Sequence, residues 1–322
     1  MAAMGSQAYR WFRYALLGAA ALAAGCGARS ELDDLERGGH TTTSSTTTTS
    51  TSTTTGLTGP TAICPPNIDT TPLTEVTLVG DATDDGVIVA WHWQLLQQPI
   101  GSSAAQPLPT NTQTATFTPD VAGEYPLRLT VTDDDGLQGS CDVLLRAIPN
   151  ENLRVELYWN PPENPNDLSD VDLHLLHPAA PAWFDMQLDC YYANCSAAAG
   201  MVLDWDVPGY VYDNPQLDLD DVDGFGPENI NIVAPTVGEA YTIGVHYYDA
   251  QGYGPAEAYI KVYCGETNVD PIYLAGPTEL TAELNQDNYQ FWKVARLVWN
   301  GSGCEVTPID VIVTTGEAKA HP

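Results

Sequence analysis

Residues 125–136 read YPLRLTVTDDDG, and this stretch decides the fold class of the chain. Apolar and polar side chains alternate over its first seven positions, which is the period of a β-strand with one buried face. Asp134, Asp135 and Gly136 follow as turn residues, because glycine adopts a positive φ without steric cost. The stretch therefore predicts a strand that ends in a tight turn.

Runs of the same kind lie on both sides of this stretch. They cover residues 75–79, 87–93, 153–159, 171–176, 241–248, 258–262 and 291–299. No window of about 12 residues has the 3.6-residue apolar period of a helix. The run FWKVARL at residues 291–297 also fits a short helix, but we favour a strand. The chain is therefore predicted to be all-β, with two tandem β-sandwich domains.

The composition sets the number of domains and excludes one class of partner. A chain of 322 residues has room for about two domains. Its 11 Lys and Arg residues are outnumbered by 42 Asp and Glu residues, which gives a formal net charge of -31. This charge repels phosphate backbones and anionic headgroups, so we predict that the protein does not bind nucleic acid.

Residues 61–149 are predicted to form the first sandwich, and three motifs in it resemble a PKD domain. The motifs are residues 80–82 (GDA), 91–93 (WHW) and 123–136 (GEYPLRLTVTDDDG). PKD domains are small immunoglobulin-like sandwiches that serve as spacers or weak binding modules on bacterial surfaces. The resemblance implies that fold and no catalytic residue.

Residues 150–314 are predicted to form the second sandwich. Its motifs at residues 170–175 (DVDLHL), 223–230 (DGFGPENI) and 241–248 (YTIGVHYY) resemble the YfaP-type domain of bacterial secreted and surface proteins. That family has no settled activity, so the resemblance implies a fold rather than a function. We expect residues 315–322 to be a disordered tail.

The N-terminus has the pattern of an export signal. Arg10 and Arg13 precede an apolar run of 11 residues at 14–24, which is shorter than the roughly 20 residues of a spanning helix. The sequence LAAGC that ends at Cys26 resembles a bacterial lipobox. We expect a signal peptide at 1–25, lipidation of Cys26 and a lipid anchor in the outer membrane, on its periplasmic or cell-surface face. An ordinary secretory signal with an incidental cysteine is the alternative.

Residues 26–60 are predicted to be a disordered tether. Residues 41–59 read TTTSSTTTTSTSTTTGLTG and have no apolar face that a core could bury. The order of lipid anchor, tether, PKD-like domain and YfaP-type domain also resembles surface lipoproteins of myxobacteria.

Six cysteines remain once Cys26 is assigned to lipid. Export to an oxidising compartment makes disulfides the expected state, and six cysteines allow 15 connectivities. We favour pairs that stay within one domain, which are Cys64–Cys141, Cys190–Cys195 and Cys264–Cys304. Zinc binding by these cysteines is disfavoured because the chain has no CxxC pair.

An acidic segment is the strongest local signal for a binding site. Residues 213–228 read DNPQLDLDDVDGFGPE. Carboxylates packed so closely raise each other's pKa unless a cation lies among them, and Ca²⁺ takes six to eight oxygen ligands. The spacing is not that of an EF-hand, and a solvated acidic loop is the alternative. With the same-parity pair at 170 and 172, the candidate Ca²⁺ ligands are Asp170, Asp172, Asp220, Asp221, Asp223 and Glu228.

Histidines and aromatic residues give weaker signals. His174 and His177 would point to opposite faces of a strand, so we expect them and His246 to be partly buried or surface residues rather than a metal site. Aromatic residues cluster between positions 183 and 212, where they form either core anchors or a patch that stacks on a glycan or a peptide. The candidate patch residues are Trp183, Tyr191, Tyr192, Trp205, Tyr210 and Tyr212.

The sequence as a whole favours a lipid-anchored cell-surface binding, adhesion or scaffold protein without catalysis. A glycan or an envelope protein would be its partner. The chain has no G-x-S-x-G elbow and no P-loop. A secreted hydrolase, or a hydrolase accessory module, that uses paired carboxylates on glycan or peptide is the alternative.

Overall fold

The computed structural model describes residues 58–159, 168–196, 203–222, 224–265, 269–281 and 289–322. This part of the chain consists of β-strands and one short helix, which confirms the predicted all-β class with tandem sandwiches. The predicted signal peptide, Cys26 and residues 26–57 of the predicted tether lie outside the described residues. Among the described residues, no helix has the length and apolar character needed to cross a membrane.

The first sandwich contains eight strands. They are β1 (Thr61–Ile63), β2 (Ile68–Thr70), β3 (Val76–Val79), β4 (Asp81–Thr83), β5 (Ile88–Leu95), β6 (Thr114–Phe117), β7 (Gly123–Asp133) and β8 (Gln138–Ala147). A four-stranded sheet has the order β2-β8-β7-β5, while β3 pairs with β6 and β1 with β4. Strand β7 alternates between buried residues and residues that are half-buried or exposed, and its Tyr125, Leu127, Leu129 and Val131 are fully buried.

In its described residues, the second sandwich has two five-stranded sheets. Its strands are β9 (Leu153–Trp159), β10 (Asp170–Leu176), β11 (Asp189–Cys190), β12 (Gln216–Leu219), β13 (Glu228–Ile232), β14 (Ala240–Asp249), β15 (Ala256–Cys264), β16 (Tyr273–Leu280), β17 (Gln290–Trp299) and β18 (Cys304–Thr314). The sheet orders are β11-β10-β14-β17-β18 and β12-β13-β9-β15-β16. Residues 291–297 lie in β17, so the strand interpretation of that run is correct.

Strand β10 is buried on both faces. Val171, Leu173 and Leu175 belong to the core between the two sheets. Because successive side chains of a strand alternate in direction, Asp170, Asp172 and His174 lie on the opposite face, and they are buried too. The chain therefore buries a row of ionisable groups behind one sheet of the second sandwich.

The C-terminus corrects one prediction. Residues 315–322 were expected to be disordered, but helix α1 (Thr315–Ala320) forms there. The side chain of Thr314 accepts the backbone N–H of Glu317, and the Glu317 carboxylate accepts the backbone N–H of Thr314, so a capping box begins the helix. Ala318 is buried against a small cluster that includes Trp183 and Phe291. This packing offsets the low intrinsic stability of so short a helix.

Buried polar contacts join the two sandwiches, and they centre on an ion pair within the second one. Arg154 and Glu156 on β9 are each 1% exposed and lie 2.8 Å apart. The Glu156 carboxylate also accepts the backbone N–H of Ala122 from the first sandwich at 2.9 Å, and Lys261 donates to the carbonyl of Ile100. These polar contacts fix the junction, because breaking them would leave buried charges without partners.

Three disulfides cross-link the described residues. The pairs are Cys64–Cys141, Cys190–Cys195 and Cys264–Cys304, with Cα atoms 5.8, 5.0 and 5.8 Å apart. This pairing is the one that the sequence favoured. The first disulfide connects residues 77 positions apart within the first sandwich.

We expect the double substitution Cys64→Ala and Cys141→Ala to lower the free energy of unfolding of the first sandwich by about 4 kcal/mol, because a loop of this length costs the unfolded chain much entropy. Hydrogen exchange of the β7 amides in urea would measure the loss. The matched double substitution Cys264→Ala and Cys304→Ala lies in the other sandwich and should leave β7 protection nearly unchanged. Equal protection of β7 in the wild type and the first variant would contradict the prediction.

Candidate metal centre

Strand pairing places an aspartate directly beside a histidine. Strands β10 and β14 are antiparallel neighbours, with Asp172 opposite His246 and His174 opposite Gly244. Directly opposed residues share one face of a sheet, so the side chains of Asp172 and His246 lie side by side. Gly244 has no Cβ, and an added Cβ would lie 2.5 Å from the Phe291 ring. The glycine thus leaves room for the aromatic side chains that cover His174.

The predicted acidic segment returns to this face. Carboxylate oxygens of Asp172, Asp220 and Glu228 all lie within 4.8 Å of one another. Glu228 begins β13 in the other sheet, and its Oε2 accepts the backbone N–H of Leu173 at 2.6 Å. This hydrogen bond ties the end of the acidic segment to the edge of β10. The structure therefore brings three of the six predicted calcium ligands together.

The other three predicted ligands have different positions. Asp170 is buried near this group, and the charges of Asp172, Asp220, Asp249 and Asp221 act on it. Asp221 is half-buried and does not belong to the group formed by Asp172, Asp220 and Glu228. Asp223 lies outside the described residues.

Burial and mutual repulsion raise the pKa values of these carboxyl groups. Burial and then the charge of Asp172 raise the pKa of Asp170 to about 8. Burial raises the pKa of Asp172 to about 7, and burial followed by the charge of Asp172 raises the pKa of Glu228 well above its ordinary value. Glu228 Oε1 and Asp170 Oδ1 are buried and have no hydrogen-bond partner among the described residues. Such a group requires either bound protons or a cation.

The histidines are more buried than the sequence predicted. His174, His177 and His246 are 0%, 8% and 6% exposed, so their interpretation as partly buried or surface residues is wrong. His177 lies away from the carboxylates, with Nε2 2.9 Å from Asp206, and Nδ1 accepts the N–H of Ala179. His174 and His246 instead have ring centroids 6.1 Å apart. Tertiary packing between β10 and β14 created this pair, and the spacing of His174 and His177 gave no sign of it.

The predicted aromatic patch is not one surface. Trp183, Trp205 and Tyr191 are 2%, 1% and 6% exposed and therefore belong to the interior, whereas Tyr192 is half-buried. Trp183 packs on Phe291 with ring centroids 4.7 Å apart. Trp183 and Tyr191 cover His174 on the ionisable face of β10, whereas Trp205 belongs to the main core and stacks on Tyr241.

Only two of the patch residues are exposed. Tyr210 and Tyr212 are 46% and 53% exposed, and their ring centroids lie 5.5 Å apart. They belong to the loop VPGYVY at residues 207–212, in which Val207 and Val211 are also exposed. This loop is the part of the predicted patch that can meet a partner.

A cavity of about 330 Å³ lies beside the histidine pair. Its walls are mostly aromatic, and the helix α1 closes one side with Thr315 and Lys319. The residues that line it include Phe184, Tyr192, His246, Tyr248, Thr315 and Lys319. None of the acidic residues of the carboxylate group lines this cavity.

Comparison with known proteins supports the assignment of the first sandwich. Residues 66–146 match the family model described as "K319L-like, PKD domain". The solution structure of the PKD domain from the KIAA 1837 protein is 31% identical in sequence, over 27% of this chain and 83% of that chain, with a TM-score of 0.24. No curated protein matches the chain. The predicted resemblance to PKD domains is therefore confirmed for the first sandwich, and the resemblance of the second sandwich to YfaP-type domains stays a prediction.

In the metal-free protein, we expect stability to fall as the pH rises from the ordinary aspartate pKa of 3.8 to about 8. The folded state holds protons on Asp170 and its neighbours in this range while the unfolded state has released them, so rising pH favours unfolding. Urea denaturation in a chelator would measure the slope. The free energy of unfolding of the variant Asp170→Asn should depend less steeply on pH. An equal pH dependence in both proteins would contradict the raised pKa of Asp170.

Proposed function

We propose that this protein is a non-catalytic binding or scaffold protein of an extracytoplasmic compartment, in which a PKD domain carries a second β-sandwich stabilised by calcium. Three disulfides support the oxidising compartment, because cytosolic thiols are kept reduced. The PKD match supports a role in adhesion or binding. The lipid anchor on Cys26 in the outer membrane remains part of the proposal, and its support is the lipobox-like sequence alone.

The calcium site rests on one observation, the convergence of Asp172, Asp220 and Glu228. Two of these carboxylates are at most 3% exposed, and Glu228 Oε1 has no hydrogen-bond partner among the described residues. Ca²⁺ matches this donor set because it prefers oxygen ligands and tolerates irregular geometry. Asp220 is exposed, so an ion can reach the site from solvent. Waters and the nearby Asp170 would complete its coordination.

The hydrolase alternative receives less support from the geometry. A glycosidase needs two carboxylates that flank a substrate in an open cleft. Here Asp172 and Glu228 are buried, and none of the described residues that line the aromatic cavity is a carboxylate. The arrangement suits a bound ion better than a substrate.

A partner would meet the protein at the exposed loop of residues 207–212. Aromatic faces stack on sugar rings, and Tyr210 and Tyr212 are the exposed aromatic pair of this loop. Retention of the protein on an extracellular glycan without turnover, lost in Tyr210→Ala with Tyr212→Ala, would support the binding role. Turnover of a glycan or peptide panel that is lost in Asp172→Asn would contradict it and support a hydrolase.

Calcium should raise the thermal stability of the purified protein. At a concentration of about 100 times the dissociation constant, the ion adds about 2.7 kcal/mol. We expect the melting temperature to rise between chelator and excess Ca²⁺ in the wild type and to stay unchanged in Asp220→Asn. Differential scanning calorimetry measures both.

The matched control for the calcium experiment is Asp135→Asn. This substitution removes one negative charge from an exposed acidic turn of the first sandwich. It should keep the full calcium response, because Asp135 is not a ligand of the proposed site. A response that came only from screening of the overall negative charge would be equal in Asp135→Asn and Asp220→Asn. An identical melting temperature of the wild type with chelator and with Ca²⁺ would reject the site.

A further inference from the structure

A second set of potential ligands adjoins the carboxylates. Asp172, His174 and His246 have ligand atoms within 4.8 Å of one another. Their exposed fractions are 3%, 0% and 6%, so all three groups are buried. The proposed calcium site uses Asp172 but neither histidine. The two imidazoles therefore need a separate explanation.

The hydrogen bonds of His174 determine which of its ring nitrogens carries the lone pair. Its Nδ1 lies 2.8 Å from Asp189 Oδ2, and the same oxygen accepts the backbone N–H of Phe184 at 2.6 Å. His174 therefore donates through Nδ1–H, and the neutral imidazole has its lone pair on Nε2. Nε2 is buried and has no hydrogen-bond partner among the described residues. A carboxylate on one nitrogen and a free lone pair on the other is the usual state of a metal-binding histidine.

The hydrogen bonds of His246 lead to the same result. The Thr315 hydroxyl has one proton, which it donates to the carbonyl of Tyr289 at 2.8 Å. Thr315 Oγ1 must therefore accept from His246 Nε2–H, 3.1 Å away. The lone pair of His246 then lies on Nδ1, which is 3.3 Å from Asp172 Oδ2. Two acceptors face each other in a buried site.

A proton shared between these acceptors does not satisfy the whole group. A strong charge-assisted hydrogen bond is about 2.7–2.9 Å long, which is shorter than the 3.3 Å between His246 Nδ1 and Asp172 Oδ2. Such a proton would also leave His174 Nε2 without a partner. A cation that accepts two imidazole lone pairs and one carboxylate oxygen satisfies all three groups.

We propose that Asp172, His174 and His246 bind a divalent transition-metal ion such as Zn²⁺. Imidazole with carboxylate is a donor set that suits these ions, and three protein ligands leave a position for water or an exogenous ligand. Asp189 and Thr315 are positioning residues, since each holds one imidazole in the ligand tautomer. Asp172 belongs to both metal groups, so its carboxylate bridges the two sites when both are filled.

Calorimetric titration of the full chain with Zn²⁺ tests this site. The protein is first freed of metal with a chelator and then titrated in excess Ca²⁺. We expect one tight Zn²⁺ per chain. His174→Gln and His246→Gln should each weaken binding by more than about 100-fold, because loss of an outer partner alone typically costs 10–100-fold. Asp189→Asn should weaken binding by about 10–100-fold.

Two other histidines provide matched controls. His177 is buried in the same sandwich but is bonded to Asp206, and His92 is exposed in the first sandwich. His177→Gln and His92→Gln should bind Zn²⁺ as tightly as the wild type. Full affinity in a variant that carries both His174→Gln and His246→Gln would overturn the proposal, as would the absence of tight binding by the wild type.

X-ray absorption of the Zn²⁺-loaded wild type gives a result that does not depend on how the variants fold. The proposal predicts scattering from two imidazole rings, and a shell of oxygen ligands alone would overturn it.

The Asp220→Asn variant separates this site from the proposed calcium site. It should lose the calcium response and keep tight Zn²⁺ binding, while His246→Gln should do the reverse. Loss of both ions in both variants would contradict the assignment of two separate donor sets.

Discussion

Burial of the ionisable face of β10 is the constraint on which the second sandwich depends. Asp170, Asp172 and His174 are all at most 6% exposed, although a charged face normally lies in water. Buried charges are tolerated only where partners or ions match them. Asp172 is central, because it lies beside His246 on one side and near Asp220 and Glu228 on the other.

Several distant elements converge on this face. Glu228 arrives from the opposite sheet and bonds to the edge of β10, while Asp189 follows the loop after β10 and supports His174. The helix α1 brings Thr315 to His246. Aromatic rings then shield the histidines from water, with Tyr191 stacked on His174 at a centroid distance of 4.8 Å. Burial under this cover, followed by the charges of His174 and Lys319, lowers the pKa of His246 to about 3.

The sequence predicted those features that depend on local pattern. Alternation identified the strands, and same-parity spacing linked Asp170 to Asp172. The sequence pattern did not predict the contacts that depend on tertiary packing. Asp172 and His246 are 74 residues apart and meet only through the pairing of β10 with β14. The alternating series Asp170, Asp172 and His174 is the sequence signal that places His174 on the same face as the two aspartates. The box formed by Thr314 and Glu317 could have indicated the C-terminal helix.

Burial of the aromatic residues was also beyond local pattern. Trp183 and Tyr210 both follow turn-rich segments of sequence, yet one is 2% exposed and the other 46%. The difference arises because Trp183 packs on His174 of β10 and Phe291 of β17, whereas the half-exposed Tyr210 ring packs on the exposed Tyr212. Periodicity carries no information about such long-range cover.

Anomalous diffraction from crystals of the protein grown with Ca²⁺ and Zn²⁺ tests the central claim most directly. The account predicts two anomalous peaks, each within coordination distance of the Asp172 carboxylate. The Ca²⁺ peak should also lie beside Asp220 and Glu228, and the Zn²⁺ peak beside His174 and His246. A map without an anomalous peak near the Asp172 carboxylate would contradict the account.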